Sequence, residues 1–208
     1  GLVGSEMCIR DSCENVLPVN EPFHLAAQMA KEEAAAKTGL RPEEIGVFFL
    51  SPCPAKVTSA KAPIGIERSH IDGVLSVSDV YIKMLSALKK IDEPENLMQS
   101  GIVGINWATS GGECAGLLTD NYLSADGIEN AIKVLEEIED EKLNDIDFVE
   151  LNACPGGCVG GVLNMANAFV ARSRIKTLRK YLPLTQNHLS GEDDDKRMFW
   201  DCLLYTSD

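Results

Sequence analysis

The chain has 208 residues, enough for one large or two small domains, and its 45% hydrophobic and 25% charged content is that of an ordinary globular protein. Its 19 basic and 32 acidic residues leave a net charge of -13, which argues against a nucleic-acid partner, because phosphates need a basic face. The longest apolar runs, such as Ile45–Leu50, are far too short to span a bilayer, so no membrane role is expected. Seven cysteines, an odd number scattered without a secretory leader, do not form a disulfide pattern. They predict a reducing, cytoplasmic location with thiolates kept for metal.

Gly1–Ser12 and Cys202–Asp208 carry no hydrophobic period matched to their neighbours. Both resemble translated sequencing-adapter DNA, so the two ends are expected to be artefacts of a gene cut at both sides, and Cys8 and Cys202 receive no role. Residues 13–182 are expected to form the folded domain and 183–201 a polar tail or linker with the charge run Gly191–Lys196.

Within the domain, Asn20-Glu21-Pro22 reads as a helix start, with a capping side chain and a proline in the first turn. The helix should run to Lys37 and stop at Gly39. After a polar connection at Arg41–Glu44, Ile45–Leu50 predicts a strand apolar on both faces, the pattern of a buried parallel strand. It ends at Ser51-Pro52-Cys53-Pro54, where the prolines are expected to stop strand and helix alike. Thr58–His70 reads as loop. A short strand is expected at Val74–Val77, followed by a helix to Lys90 capped by Ser78 or Asp79, and a polar break at Asp92–Asn96.

Gly101–Trp107 reads as a strand, leading through Thr109-Ser110-Gly111-Gly112 to a helix ending near Leu123. Gly127–Glu139 has apolar residues at helical spacing, and Asp147–Leu151 reads as a strand. The loop Cys154-Pro155-Gly156-Gly157-Cys158 follows, then a helix over Val162–Tyr181. Alternating strands and helices imply a layered α/β fold with mostly parallel sheets flanked by helices. In such folds ligands bind beyond the carboxyl ends of strands, where Cys53 and Cys154 both lie, each just past an apolar strand.

The glycines around Cys154 and Cys158 allow positive φ and close approach to a bulky ligand. Their N–H groups, and the N-terminus of the expected following helix, would favour bound thiolates. An iron–sulfur centre suits this setting, while zinc, a redox dithiol with CxxxC spacing and a structural turn with two buried cysteines remain open. His24, His70 and His188 lack metal-ligand spacing and read as ordinary surface or core residues.

FFLSPCPAK (48–56) resembles the second signature of iron-only (di-iron) hydrogenases, and FVELNACPGGCVGG (148–161) resembles their third. The likeness extends over roughly Glu14–Tyr181 and includes SHIDGVLSVSDVYIKML (69–85). This resemblance to the C-terminal domain of the hydrogenase large subunit implies a 4Fe–4S cluster ligated by Cys53 and Cys154. It makes Cys158 the bridge to a di-iron subsite carrying CO and cyanide, the full unit being the H-cluster. It also implies that Lys56 hydrogen-bonds a cyanide, and that Pro52, Ala55, Ser110, Gly111, Gly112, Gly156 and Gly157 line the cluster pocket. Cys114 is expected to be a buried helix cysteine and Cys13 to have no role. Implied substrates are H2 and protons, and the implied partner is a ferredoxin-type electron carrier or a fused ferredoxin or sensory domain.

The family's first signature, which supplies a fourth ligand and a proton-donating cysteine, is absent from the sequence. Ser51 stands in place of a methionine, Ser59 in place of a proton-relay glutamate, and Asn152 in place of another methionine. Val162-Leu163-Asn164 replaces a glycine-glutamine-proline ending. A serine hydroxyl does not titrate near neutral pH and cannot act as a carboxylate relay. The expectation is slow hydrogen turnover in a sensory-like branch, with a non-catalytic cluster-binding or assembly protein on the same fold as the alternative.

Overall fold

The computed structural model describes residues 21–63, 66–93, 100–117 and 119–183. Asn20, His188, Cys8, Cys13, Cys202 and the run Gly191–Lys196 therefore lie outside the described residues, as does most of the expected break at Asp92–Asn96. The described residues divide into two compact units, one of 21–49 with 55–74 and the other of 50–54 with 75–183.

In the first unit, helix α1 (Pro22–Thr38) begins with proline, whose fixed φ and missing N–H suit a first turn. It ends where Gly39 adopts φ 73° and donates its N–H to the Ala35 carbonyl, as expected. The residue preceding the helix is Glu21, whose own side chain does not cap the first turn. The Glu21 carboxylate is used elsewhere. Phe23 and Ala27 of α1 bury against Ile71, with Val47, Phe49, Ala60 and Val74 packed around them. The rings of Phe23 and Phe49 lie 5.2 Å apart. Asp72 ties this unit together: its carboxylate accepts the Val47 N–H at 2.7 Å and pairs with Lys31 at 3.2 Å.

Strand β1 (Phe48–Ser51) is shorter than predicted and is not buried on both faces. Phe48 and Leu50 are 62% and 47% exposed, and among the described residues β1 pairs only with β2 (Gly73–Ser76), in a two-stranded sheet. Helix α2 (Ala55–Lys61) occupies part of the stretch read as loop. Pro54 stands just before its first turn, where a proline opens a helix as readily as it closes one.

In the second unit, Ser76, not Ser78 or Asp79, caps helix α3 (Val77–Leu88), accepting the Asp79 N–H at 3.1 Å. The predicted strand at Gly101–Trp107 is instead the short helix α4 (Ile102–Asn106). A brief apolar run fits either state, and here Ile105 N–H closes back on the Gly101 carbonyl. The predicted helix to Leu123 is replaced by a single 3₁₀ turn at Cys114–Gly116 and by strand β3 (Tyr122–Asp126).

Helix α5 (Ile128–Glu139) and strand β4 (Phe148–Asn152) fall within a residue of expectation. Strands β3 and β4 pair in parallel, Tyr122 opposite Phe148 through Asp126 opposite Asn152, with α5 as the crossover. The α/β class holds, but the sheets are small. Helix α6 (Ala168–Leu178) starts six residues later than predicted, at Asn167, whose side chain accepts the Phe169 and Val170 N–H groups. Apolar side chains on α5, among them Ile128, Ile132 and Leu135, remain about half exposed.

Candidate functional site

Strands β1 and β4 end at Ser51 and Asn152, so Cys53 and Cys154 each stand two residues beyond a strand. In the loop after β4, Gly156 and Gly157 take φ values of 84° and 86°, a region that side chains with a Cβ disfavour. A Cβ on Gly157 would lie 2.5 Å from the Ser110 nitrogen and 2.8 Å from the Thr109 carbonyl carbon. The loop therefore packs backbone to backbone on the 108–112 turn. Ser110 N–H donates to the Gly156 carbonyl at 3.0 Å, and Val159 N–H donates to the Ala108 carbonyl at 2.9 Å.

That turn is itself fixed by Glu150 of β4, which is 5% exposed. Its carboxylate accepts N–H groups of Gly111 (2.9 Å), Glu113 (3.1 Å) and Cys114 (3.1 Å), and the Asn152 amide at 2.9 Å. Burial by itself would raise its pKa, but these donors together hold the carboxyl below its ordinary value. A Cβ on Gly112 would fall 1.9 Å from the Asn106 carbonyl oxygen, so Gly112 answers to crowding, whereas Gly111 answers to its φ of 79°.

The Cys53 loop is held differently. Ser51, fully buried, accepts the Cys53 N–H on its hydroxyl at 3.0 Å. The Pro52 carbonyl accepts Leu163 N–H at 3.0 Å. A Cβ on Gly161 would sit 2.5 Å from that same oxygen. The two cysteine loops thus touch directly, although their cysteines are about a hundred residues apart in sequence.

Cys53 and Cys154 are half-buried and Cys158 is exposed, and none of them forms a disulfide. No helix begins at Cys158: residues Cys158–Gly160 make one 3₁₀ turn, and α6 starts ten residues on. The expected contribution of a helix N-terminus to these thiolates is withdrawn, because one such turn has too few aligned peptides to act as one. Cys114 is fully buried in a 3₁₀ turn instead of a helix, and burial pushes its thiol up to about 11. It is a neutral packing group beside Glu150.

Of the predicted pocket residues, Pro52, Ser110, Gly111, Gly112, Gly156 and Gly157 lie with the three cysteines in the second unit. Ala55 and Lys56 lie in the first, at the start of α2. There Lys56 pairs with Glu21 and stands over the Phe23 ring, 4.5 Å from its centroid. Ser59 donates its hydroxyl to the other oxygen of Glu21 at 2.6 Å. Among the described residues no three His, Cys, Asp or Glu side chains are grouped to hold one metal ion. A cluster of several irons spreads its thiolates around a wider core than a single ion does.

Ser51, Ser59 and Asn152 are all engaged: Ser51 with Cys53, Ser59 with Glu21 and Asn152 with Glu150. Sequence reasoning missed Glu21 and Glu150 as organising groups. An acid inside a strand that otherwise reads as apolar was the available signal for Glu150.

Residues 105–162 match the family described as the iron only hydrogenase large subunit, C-terminal domain. The matched stretch contains the 108–112 turn, Glu150, Cys154 and Cys158, and does not reach Cys53. Among solved structures, one reporting that oxygen inactivation of FeFe-hydrogenase begins with modification and degradation of the H-cluster 2Fe subcluster superposes at a TM-score of 0.54. It is 17% identical, and the match covers 94% of this chain and 67% of that one. A second, reporting stepwise FeFe-hydrogenase H-cluster assembly in HydA(deltaEFG), superposes at 0.52 with 18% identity, over 89% of this chain and 65% of that one.

The chain shares the fold of these two FeFe-hydrogenase structures. No curated protein matches the chain. The chain spans about two thirds of each of these solved structures. Among the described residues no helix is long and apolar enough to cross a membrane.

Proposed function

We propose that this chain is the cluster-holding part of a hydrogenase-type protein of low turnover that senses hydrogen. In this reading Cys53 and Cys154 ligate a 4Fe–4S cluster, and Cys158 bridges it to a di-iron subsite. The observation that carries the reading is the main-chain bond from Leu163 N–H to the Pro52 carbonyl, with Gly161 leaving room for it. It unites two cysteine loops in one compact unit, and glycine-rich backbone around soft thiolate donors suits an anionic iron–sulfur core.

When bound, such a cluster would supply redox chemistry and a site for heterolytic cleavage of H2. The chain's own contribution is positioning. The 108–112 turn holds the Cys154–Cys158 loop, and Ser51 orients the Cys53 backbone. Low turnover is supported by the hydroxyl at Ser59, which does not titrate near neutral pH and so cannot pass protons as a carboxylate would. A ferredoxin-type carrier or a fused ferredoxin or sensory domain is the proposed electron partner, in the cytoplasm.

The test uses the full-length gene expressed with hydrogenase maturation factors. CO and cyanide infrared bands and a cubane EPR signal are expected in the wild type. Cys53→Ala and Cys154→Ala should each abolish cubane iron, whereas Cys158→Ala should retain part of the cubane and lose the infrared bands. Full iron content in Cys53→Ala or Cys154→Ala would defeat the ligand assignment, and a cubane without infrared bands would favour the non-catalytic alternative.

A further inference from the structure

Five of the chain's 19 basic residues fall within nine positions, at Arg172, Arg174, Lys176, Arg179 and Lys180. Three of them, Arg172, Lys176 and Arg179, share one face of α6 and its closing turn at i, i+4 and i+7. They line a cavity of about 680 Å³ in the second unit. No carboxylate lines it, although the chain carries 32 acidic residues. Cations near a helix C-terminus complement its dipole, which accounts for Arg179 and Lys180 but not for Arg172, in the first half of α6.

The opposite wall is built from hydrogen-bonding groups. Ser110 and Ser124 line it, Thr109 donates its own hydroxyl to the Asn106 carbonyl, and Tyr122 and Phe169 border the same space. Arg179 is fixed in advance: its Nη1 donates to the Asn106 side-chain oxygen at 3.1 Å, and Asn106 is buried and bonded by Thr109. Among the described residues neither Arg172 nor Lys176 has an ion-pair partner.

A concave site of this volume is the size that small ligands occupy. Guanidinium and ammonium groups converging with hydroxyls, and no competing acid, select a multiply charged oxyanion. From this we infer that the cavity between α6 and the 109–111 turn binds a phosphate-bearing small molecule. The phosphate oxygens meet Arg172, Lys176 and Arg179, and an exposed ring such as Phe169 is placed to stack on a base if the molecule is a nucleotide. The site lies behind the cysteine loop, since Ser110 and Gly111 both line it and hold Gly156 and Glu150.

Calorimetric titration of the full chain, without cluster, with inorganic pyrophosphate and with ADP tests this. One ligand is expected per chain, with affinity reduced about tenfold or more in Arg172→Gln/Lys176→Gln, a loss of about 1.4 kcal/mol or more in binding. Both residues are exposed, so the variant should keep the wild-type circular dichroism and melting profile. ADP binding tighter than pyrophosphate supports a nucleotide, and equal binding supports a bare phosphate group. No saturable binding of either up to about 1 mM, or equal binding by the variant, would overturn the inference. The measurement involves no iron, so its failure leaves the hydrogenase reading where it stood.

Discussion

The loops that follow β1 and β4 each carry a cysteine two residues past a strand, yet they are secured by different means. The β4 loop is built into the backbone of the 108–112 turn, with two main-chain bonds, two left-handed glycines and a buried carboxylate behind it. The β1 loop relies on the Ser51 hydroxyl and on one main-chain bond from Leu163. The contrast teaches that Cys154 and Cys158 belong to a frame set by the fold, while the placement of Cys53 depends on that frame through one main-chain bond and the close approach of Gly161 to Pro52. Damage to the frame should cost stability. Damage to the contact should mainly free Cys53.

The largest effect is expected at Gly157. Gly157→Ala adds a Cβ against the Ser110 backbone at a φ of 86°, so crowding and left-handed strain act together. Left-handed strain of about 1–2 kcal/mol and overpacking of about 1–3 kcal/mol predict a loss of about 4 kcal/mol in urea unfolding. A loss under about 1 kcal/mol would mean the two loops are not held differently after all.

Glu150 comes next. Glu150→Ala strands three backbone N–H groups and should cost about 3 kcal/mol. Because its carboxyl is held below the ordinary value of 4.5, its contribution is complete above that pH. It is lost as pH falls through the lowered folded-state value. Glu150→Gln should therefore be less stable near neutrality and show a shallower loss of stability on acidification, measured by urea unfolding across pH 3–6 (roughly the window around a carboxylate pKa).

Gly161 sharpens the comparison from the other side. Its backbone angles are extended, φ -60° and ψ 143°, so Gly161→Ala brings crowding without conformational strain. The added methyl meets the Pro52 oxygen and should cost about 1–2 kcal/mol by overpacking. Iodoacetamide labelling of Cys53 should quicken relative to Cys154. Equal acceleration of both would show that the loops move as one body.

The sequence made the cysteine loops legible because proline and glycine punctuate them, and because Cys53 and Cys154 follow apolar runs that do become strands. Helices α1 and α5 were readable from local signals: proline and glycine bracket α1, and apolar residues at helical spacing follow Gly127 in α5. The misreadings fall where the pattern of a short segment fits more than one state. Ile102–Asn106 could be strand or helix by pattern, and its closure on Gly101 decides it. Over residues 162–166 the one asparagine, Asn164, donates its amide to the Cys158 and Val159 carbonyls, and the helix is capped at Asn167. The Glu150 hub could not be derived from spacing, because its three main-chain partners lie nearly forty residues earlier in the chain.

The smallest effect tests whether a carboxylate by itself makes a strong anchor. Glu21 resembles Glu150 in having two bonded oxygens and a pKa held below the ordinary carboxylate value, with burial opposing Lys56 and Ser59. Its partners are mobile side chains, however, and the Lys56 and Glu21 side chains are 36% and 37% exposed. Ion pairs of that exposure contribute under about 1 kcal/mol. Glu21→Gln should therefore cost less than about 1 kcal/mol near neutral pH, with that small difference vanishing as acid protonates the wild-type carboxyl. A loss as large as that of Glu150→Gln would show that the chain after Cys53 is fastened as firmly as the frame around Cys154, and the asymmetry between the two loops would disappear.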